Sequence, residues 1–252
     1  MTAALENDRR TILSVQKNIR ENMKTVIIHG QNHEGSTCHV ARILAEKIGG
    51  ETTEFFLPAD FGEFCAGCNQ CFFKGETECP HHDRLAPIIG AMDAADVVIL
   101  ASPVYVFHVT GAMKAFLDHC AYRFMVHRPE ESMFRKQGVC ICTAAGGGMK
   151  STLKDMEHSL FFWGTARIYR YGPGVAAANW EGVSEKKQAA IDRATSTLAG
   201  KIVRRHGKVR PGLKTRAFFN LMRQFQKKMR ICQRDVEYWT EKGWLGSKRP
   251  WD

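Results

Sequence analysis

Residues 24–37 read KTVIIHGQNHEGST, and this stretch decides the fold. The apolar run Thr25–Ile28 predicts a buried strand, because it is continuous rather than alternating. A polar loop from Gly30 to Thr37 follows at once, and helical spacing begins directly after it. A strand, a tight polar loop and a helix N-terminus in this order are the opening unit of a parallel α/β sheet, and the loop is a natural site for an anion.

Four further segments have the character of strands. Val97–Ala101 and Gly138–Thr143 are continuous apolar runs, while Thr52–Phe56 and Arg167–Tyr171 are weaker candidates. Helical apolar spacing separates the strands at 40–48, 113–124, 153–160 and 191–202. This alternation predicts a doubly wound α/β fold with a parallel sheet and right-handed crossovers. Five strands fit the flavodoxin-like strand order 2-1-3-4-5.

The chain continues beyond this unit. Between 218 and 239 apolar residues keep helical spacing for about six turns, which predicts one additional C-terminal helix. We therefore divide the chain into an N-terminal extension at 1–22, a flavodoxin-like domain at 23–206 and a basic C-terminal helical extension at 207–252.

Composition narrows the class of protein. The chain has 252 residues, of which 44% are apolar and 25% charged, as in an ordinary globular protein. No uninterrupted apolar run reaches the roughly 18 residues that a membrane span requires, and residues 1–22 lack the apolar centre of a secretory signal. We expect a cytoplasmic protein without a membrane partner. In that compartment nine cysteines indicate thiols, metal or cluster ligation rather than disulfides.

The positive charge is concentrated at the C-terminus. Residues 201–252 hold 15 Lys and Arg against four Asp and Glu, while the rest of the chain is close to neutral. Such a segment is either a solvated helix face, a contact with a partner subunit, or a site for an anion. The cluster Arg204–Arg210 is suited to the 2′-phosphate of NADPH. It lacks interleaved aromatic residues, so we expect no nucleic-acid partner.

The loop after the first strand favours a monophosphate. Gly30, Gly35 and Thr37 match the nucleotide-binding pattern G-x-x-x-x-G-K-[ST], but Ser36 stands where that pattern requires Lys. Without this cation a magnesium triphosphate is poorly supported. Neutral hydroxyl donors at a helix N-terminus suit a single phosphate, such as that of flavin mononucleotide (FMN). A helix start without a ligand is the alternative.

Two more loops follow strands that end at the same edge. Ser102–Gly111 comes after the third predicted strand, and Thr143–Gly148 after the fourth. Open α/β sheets bind their ligands at this carboxyl edge. Glycines allow close backbone approach to a flat ring, and the proline and aromatic residues supply a rigid apolar wall.

The sequence resembles the NAD(P)H-dependent FMN reductase family of flavodoxin-like proteins. The matching stretches are His29–Thr37, Cys65–Cys79, Ser102–Asp118 and Thr143–Gly147, and the resemblance extends over roughly 23–200. The family's first loop often reads G-S-P-R, whereas this chain has Gly-Gln-Asn-His there, with His33 as a substitute for the arginine.

The resemblance implies that 23–206 binds FMN. The implied phosphate contacts are Gln31, His33, Ser36 and Thr37. The implied ring contacts are Pro103, Val104, Tyr105, Val106, Phe107, Thr143, Ala144, Ala145, Gly146 and Gly147.

The resemblance also implies a function. It predicts an FMN-dependent oxidoreductase that takes electrons from NAD(P)H and passes them to a small acceptor, such as a quinone, a nitro or azo compound, or free flavin. Because the flavin carries the reaction, we expect no catalytic side chain. A homodimer or homotetramer is implied as well.

Four cysteines form a separate motif. Cys65, Cys68, Cys71 and Cys79 are spaced C-x2-C-x2-C-x7-C, close to the spacing of ferredoxins that hold a [4Fe–4S] cluster. Iron–sulfur flavoproteins, which resemble this chain, carry their cluster loop in the same place, so an electron carrier with FMN and a cluster is the second hypothesis. Two alternatives for the motif are a tetrahedral zinc site and a loop without metal.

The remaining cysteines are expected to be buried packing residues: Cys38, Cys120, Cys140, Cys142 and Cys232.

Overall fold

The computed structural model describes residues 18–252, and its centre is a five-stranded sheet. All pairings are parallel and the strand order is 2-1-3-4-5, so the predicted flavodoxin-like topology is confirmed. The strands are β1 Lys24–His29, β2 Glu51–Phe56, β3 Val97–Ala101, β4 Gln137–Ile141 and β5 Arg167–Tyr171.

Burial explains why three strands were clear in the sequence and two were weak. Every residue of β3 and β4 is buried, and so is β1 after Lys24, because these strands have a neighbour on each side and helices on both faces. The edge strands β2 and β5 contain only exposed and half-buried residues. Their sequences are therefore mixed rather than continuously apolar.

Helices cover both faces of the sheet. The helices are α1 Ser36–Ile48, α2 His82–Ala94, α3 Gly111–His119, α4 Met149–Phe162, α5 Glu185–Arg205, α6 Leu213–Met229 and α7 Gln233–Glu241. A one-turn helix Gln70–Phe73 and three 3-10 turns, Glu76–Glu78, Ala121–Arg123 and Glu131–Arg135, lie between them. Alternate strand residues face opposite cores. Val26 packs with α2, α3 and α4, whereas Ile27 packs with α1 and α5.

The predicted C-terminal helical segment is present, and the structure divides it into two helices, α6 and α7. The first ends at Met229, and the next residue, Arg230, has a φ of 45° in the left-handed region. A continuous helix would separate Phe219 from Trp239 by about 30 Å. The break instead lets both rings stack at 4.8 Å, in a cluster with Phe134 and Trp244 that is buried from solvent.

Three smaller predictions have different outcomes. Helical spacing was expected to run to Phe124, but α3 ends at His119 and a 3-10 turn follows. The prediction that Cys38, Cys120, Cys140, Cys142 and Cys232 are buried is confirmed. Of the predicted N-terminal extension, residues 18–22 are helical and 1–17 lie outside the described residues. Within 18–252, each helix is too short or too polar to cross a bilayer.

The C-terminal aromatic cluster gives a stability prediction. Phe219 is fully buried between Phe134, Trp239 and Trp244, so Phe219→Ala is expected to lower the free energy of unfolding by about 3–5 kcal/mol. Leu221, two residues along the same helix, is 60% exposed, and Leu221→Ala is the matched control, with an effect of roughly 0.5 kcal/mol or less. Guanidinium unfolding followed by tryptophan fluorescence measures both. Equal effects would contradict the assignment of this cluster to the core.

Candidate functional site

The loops after β1, β3, β4 and β5 enclose a cavity of about 260 Å³ at the carboxyl edge of the sheet. Parallel pairing brings these loops together, because the carboxyl ends of all the strands lie at one edge of the sheet. The lining residues are Gln31, His33, Gly35, Ser36, Thr37, Pro103, Val104, Tyr105, Thr143, Ala144, Ala145, Val175, Ala177 and Ala178.

Most of the residues predicted to contact a cofactor meet in this cavity. Val106, Phe107, Gly146 and Gly147 do not line it; they lie farther along the same loops, and Val106 is 92% exposed. Sequence reasoning missed the wall formed by Val175, Ala177 and Ala178. The signal was present, since the small-residue stretch 172–178 follows the fifth strand and ends at the same edge.

Ser36 is the notable residue of the first loop. Its side chain is 7% exposed, and its hydroxyl oxygen has no hydrogen-bond partner among the described residues. It is the first residue of α1, whose N-cap is Gly35, so no side chain caps the helix N-terminus. A buried hydroxyl without a partner is costly unless a ligand completes it. The helix start faces the cavity with a donor ready for an anion.

Hydrogen bonds join the loops to one another. The hydroxyls of Thr37 and Thr143 lie 2.7 Å apart and connect the first loop to the loop after β4. The amide of Val104 donates to the carbonyl of Thr143 at 3.1 Å, which connects the loop after β3. The amide of Val175 donates to Ala144 at 3.0 Å and brings in the loop after β5. The four walls of the cavity are therefore held in one framework.

A polar network runs from the buried ring of His29 to the exposed Glu34 of the first loop. His29 Nε2 is 2.7 Å from Glu54, Arg42 is 2.9 Å from the same carboxylate, and Arg42 also reaches Glu34 at 2.9 Å. Burial lowers the pKa of His29, against the opposing effect of Glu54. The network ties Glu34, within the loop, to β2. No spacing in the sequence indicated this contact, because it joins separate elements.

The loop after β3 contains an unusual turn. Tyr105 and His108 exchange backbone hydrogen bonds, and the two residues between them, Val106 and Phe107, have φ values of 49° and 65°. Positive φ at both central positions is the pattern of a type I′ turn, which normally holds Asn-Gly. For a β-branched residue it is strained.

Contacts with α4 hold this turn in place. His108 Nδ1 lies 2.9 Å from Asp155, and the hydroxyl of Ser151 donates to the carbonyl of Phe107. Gly148 has a φ of 90°, and a Cβ there would lie 2.5 Å from Val104 and 3.0 Å from the Phe107 backbone. Only glycine permits this close approach of the two loops.

The cysteine motif surrounds a second cavity of about 200 Å³. Cys65, Cys68, Cys71 and Cys79 all line it, together with His119 and other residues. Burial raises the pKa of the Cys71 thiol, and the neighbouring thiols of Cys79, Cys65 and Cys68 raise it further. Ionised thiols at the other three positions would therefore repel a thiolate at Cys71. A cation or a cationic cluster core would relieve that repulsion.

The C-terminal extension holds the cysteine loop. Arg128 is buried and donates to the carbonyls of Cys71 and Phe72, and it pairs with the buried carboxylate of Asp235 at the start of α7. The thiol of Cys232 donates to the Phe72 carbonyl at 3.2 Å. This support by residues about 160 positions away was not expected from the sequence.

The sequence profile of the NADPH-dependent FMN reductase family matches residues 23–179. The chain belongs to this family. It is therefore a flavin-dependent oxidoreductase with the flavodoxin-like fold described above.

The chain is also similar in sequence to individual flavoproteins. An iron–sulfur flavoprotein of Archaeoglobus fulgidus is 26% identical over 202 residues, which cover 79% of this chain and 88% of that protein. An iron–sulfur flavoprotein of Methanocaldococcus jannaschii is 32% identical over 148 residues, or 55% of this chain and 72% of the relative.

Solved structures share the fold. An azoreductase from Bacillus anthracis superposes with a TM-score of 0.55 at 11% identity, covering 71% of this chain and 99% of its own. An NAD(P)H:quinone oxidoreductase from Methanothermobacter marburgensis has a TM-score of 0.55 at 14% identity, covering 70% and 97%. At such identities the likeness is one of fold.

The strained turn gives a second prediction. Replacing Val106 with Asn and Phe107 with Gly supplies the residues that tolerate positive φ, so the double variant is expected to be more stable by about 1–2 kcal/mol. Thermal unfolding measures the change. The control is Val106→Ala with Phe107→Ala, which removes the same side chains but keeps residues that disfavour the turn. If both double variants melt alike, the turn is not strained.

Proposed function

We propose that this chain binds FMN in the cavity at the carboxyl edge of the sheet and passes electrons from NAD(P)H to a small acceptor. The observation that carries the proposal is the buried, unpartnered hydroxyl of Ser36 at the N-terminus of α1. Gln31, His33, Ser36 and Thr37 would hold the phosphate.

The donor set supports a monoester phosphate. None of the described residues that line the cavity is Lys or Arg, so the negative charge would meet hydroxyls, an amide, a histidine and the helix N-terminus. A triphosphate with magnesium normally requires a cation here. Family membership supports FMN as the particular monophosphate.

The proposed contacts to the flavin ring come from the loops after β3 and β4. Pro103, Val104, Tyr105 and the stretch 143–145 would bound the flavin ring, since they form the cavity wall beyond the phosphate loop. We place the predicted residues Val106, Phe107, Gly146 and Gly147 at the outer rim, where the loops project past the cavity. Bound FMN supplies the redox chemistry. The chain's own residues bind it, orient it and keep water from its inner face.

The residues at the outer rim favour a flat, apolar electron acceptor. Tyr105, Val106 and Phe107 are 50%, 92% and 66% exposed, and exposed apolar residues of this kind mark a binding surface. Quinones and azo compounds have this character, and structural neighbours named azoreductase and quinone oxidoreductase support that choice. The same exposed residues support assembly as a homodimer or homotetramer.

The proposal includes NAD(P)H as the electron donor and a cytoplasmic location.

A second candidate function is electron transfer through FMN and a [4Fe–4S] cluster. It is favoured by the cavity that Cys65, Cys68, Cys71 and Cys79 line, and by relatives named iron–sulfur flavoprotein. The donor set fits, because four thiolates are the usual ligands of such a cluster. Arg128 lies close enough to favour the ionised form of Cys71 and would stabilise an anionic cluster.

Ser36→Ala tests the phosphate site. Loss of one donor to a charged group costs about 1.5–3 kcal/mol, so the FMN dissociation constant is expected to rise roughly 10- to 150-fold. The flavin-free variant should unfold like the flavin-free parent, because the hydroxyl has no partner to lose. Titration of flavin-free protein with FMN, followed by flavin fluorescence, gives the affinity.

The control is Ser247→Ala, at an exposed position near the C-terminus. It should leave FMN affinity unchanged. Unaltered affinity in Ser36→Ala would show that the phosphate binds elsewhere.

An anaerobic absorbance spectrum with iron analysis separates the two candidate functions. Flavin bands without iron, bleached directly by NAD(P)H, support the oxidoreductase. Flavin with about four iron atoms per chain supports the cluster-bearing carrier. A colourless protein would contradict both.

A further inference from the structure

Three metal-binding groups converge at one end of the cysteine cavity. The sulfur of Cys79 and one ring nitrogen each of His81 and His119 all lie within 4.8 Å of one another. Cys79 and His81 precede α2, whereas His119 is the last residue of α3. The fold therefore brings together donors that are about 40 positions apart in the sequence.

The ring of His119 is held in one orientation. Its Nδ1 donates to the carbonyl of Ala115 at 2.8 Å, and its ring packs edge-on against Phe61 at 4.8 Å between centroids. The side chain is 5% exposed. With Nδ1 occupied as a donor, Nε2 carries the lone pair of the neutral ring. A backbone carbonyl that fixes the second nitrogen in this way is the usual support of a metal-binding histidine.

The lone pair of His119 points at another ring. Nδ1 of His81 lies 2.9 Å from Nε2 of His119, so the two nitrogens share one proton. A metal ion in place of that proton would bind both nitrogens. The thiolate of Cys79 would then be the third ligand.

We propose that Cys79, His81 and His119 form a mononuclear site for a zinc-type divalent ion. One thiolate with two imidazoles is a donor set that suits Zn²⁺. Three protein ligands leave a fourth position, which water or the thiol of Cys71 on the same cavity wall would occupy. None of the described residues that line the cavity is Lys or Arg, and the Asp118 carboxylate on its wall is already paired with Lys114.

A second group of three possible metal ligands is less suited to a cation. His29, Cys38 and Glu54 also bring donor atoms within 4.8 Å of one another. There Arg42 already neutralises Glu54 at a distance of 2.9 Å, so a further cation would be repelled. At the cysteine cavity Arg128 donates to the backbone carbonyls of Cys71 and Phe72, so Cys79, His81 and His119 carry no ion pair of this kind among the described contacts.

The zinc-type site and a four-cysteine cluster both require Cys79, so one chain holds one or the other. Their remaining ligands differ, which makes them separable. Zinc would need His81 and His119 but not Cys65 or Cys68. The cluster would need Cys65 and Cys68 but neither histidine.

The experiment uses the full chain, stripped of metal by a chelator and reduced under anaerobic conditions. Co²⁺ is added as a spectroscopic probe and then displaced with Zn²⁺. The parent is expected to take one ion per chain, with the intense visible bands of tetrahedral Co²⁺ and an absorption from its thiolate ligand. His119→Ala and His81→Ala are each expected to weaken Zn²⁺ binding by at least about 100-fold, because a direct ligand matters more than the 10- to 100-fold of an outer partner.

Two controls make the result decisive. Cys65→Ser should bind Zn²⁺ like the parent, and so should His82→Ala, whose side chain lines a different cavity. His81 is half-buried, so His81→Ala keeps the test valid if the more buried His119→Ala fails to fold. Zn²⁺ binding that survives both histidine variants, or that Cys65→Ser abolishes, would overturn the proposal. FMN affinity, measured in parallel, reports separately on the flavin site.

Discussion

All five strands run in the same direction, and this constraint governs everything else in the molecule. Parallel pairing directs the loops after β1, β3, β4 and β5 to one edge, where they enclose a single cavity. It also buries the inner strands on both faces, which requires helices above and below the sheet. The hydroxyl bond between Thr37 and Thr143 depends on this arrangement, because it joins loops that begin more than 100 residues apart.

Two energetically costly features lie in loops at this edge of the sheet. Ser36 leaves a buried hydroxyl without a partner among the described residues, and Val106 and Phe107 in the loop after β3 adopt positive φ. Each feature costs free energy in the unliganded chain. Both belong to loops at the carboxyl edge of the sheet, which agrees with a binding site there for an anionic cofactor and a flat acceptor.

The C-terminal extension supports the loop that lines the second cavity. Two helices bury an aromatic cluster against the α/β unit, and the break at Arg230 lets Asp235 reach Arg128. Arg128 in turn holds the backbone of Cys71 and Phe72. The family profile matches residues 23–179, so Arg128 lies within the matched part of the chain and Asp235 lies beyond it.

The sequence alone determined the class of fold, because continuous apolar runs and helical spacing are local signals of burial. It also indicated three of the loops that enclose the cavity at the carboxyl edge, and the cysteine motif, since each is a short stretch of chain that follows a strand. Tertiary structure alone decided the wall from Val175 to Ala178, the link from Glu34 through Arg42 to Glu54, and the pairing of Arg128 with Asp235. The meeting of Cys79 with His119 belongs to the same group. These contacts join residues from separate elements, and their distances depend on how helices pack across the sheet rather than on any periodicity along the chain.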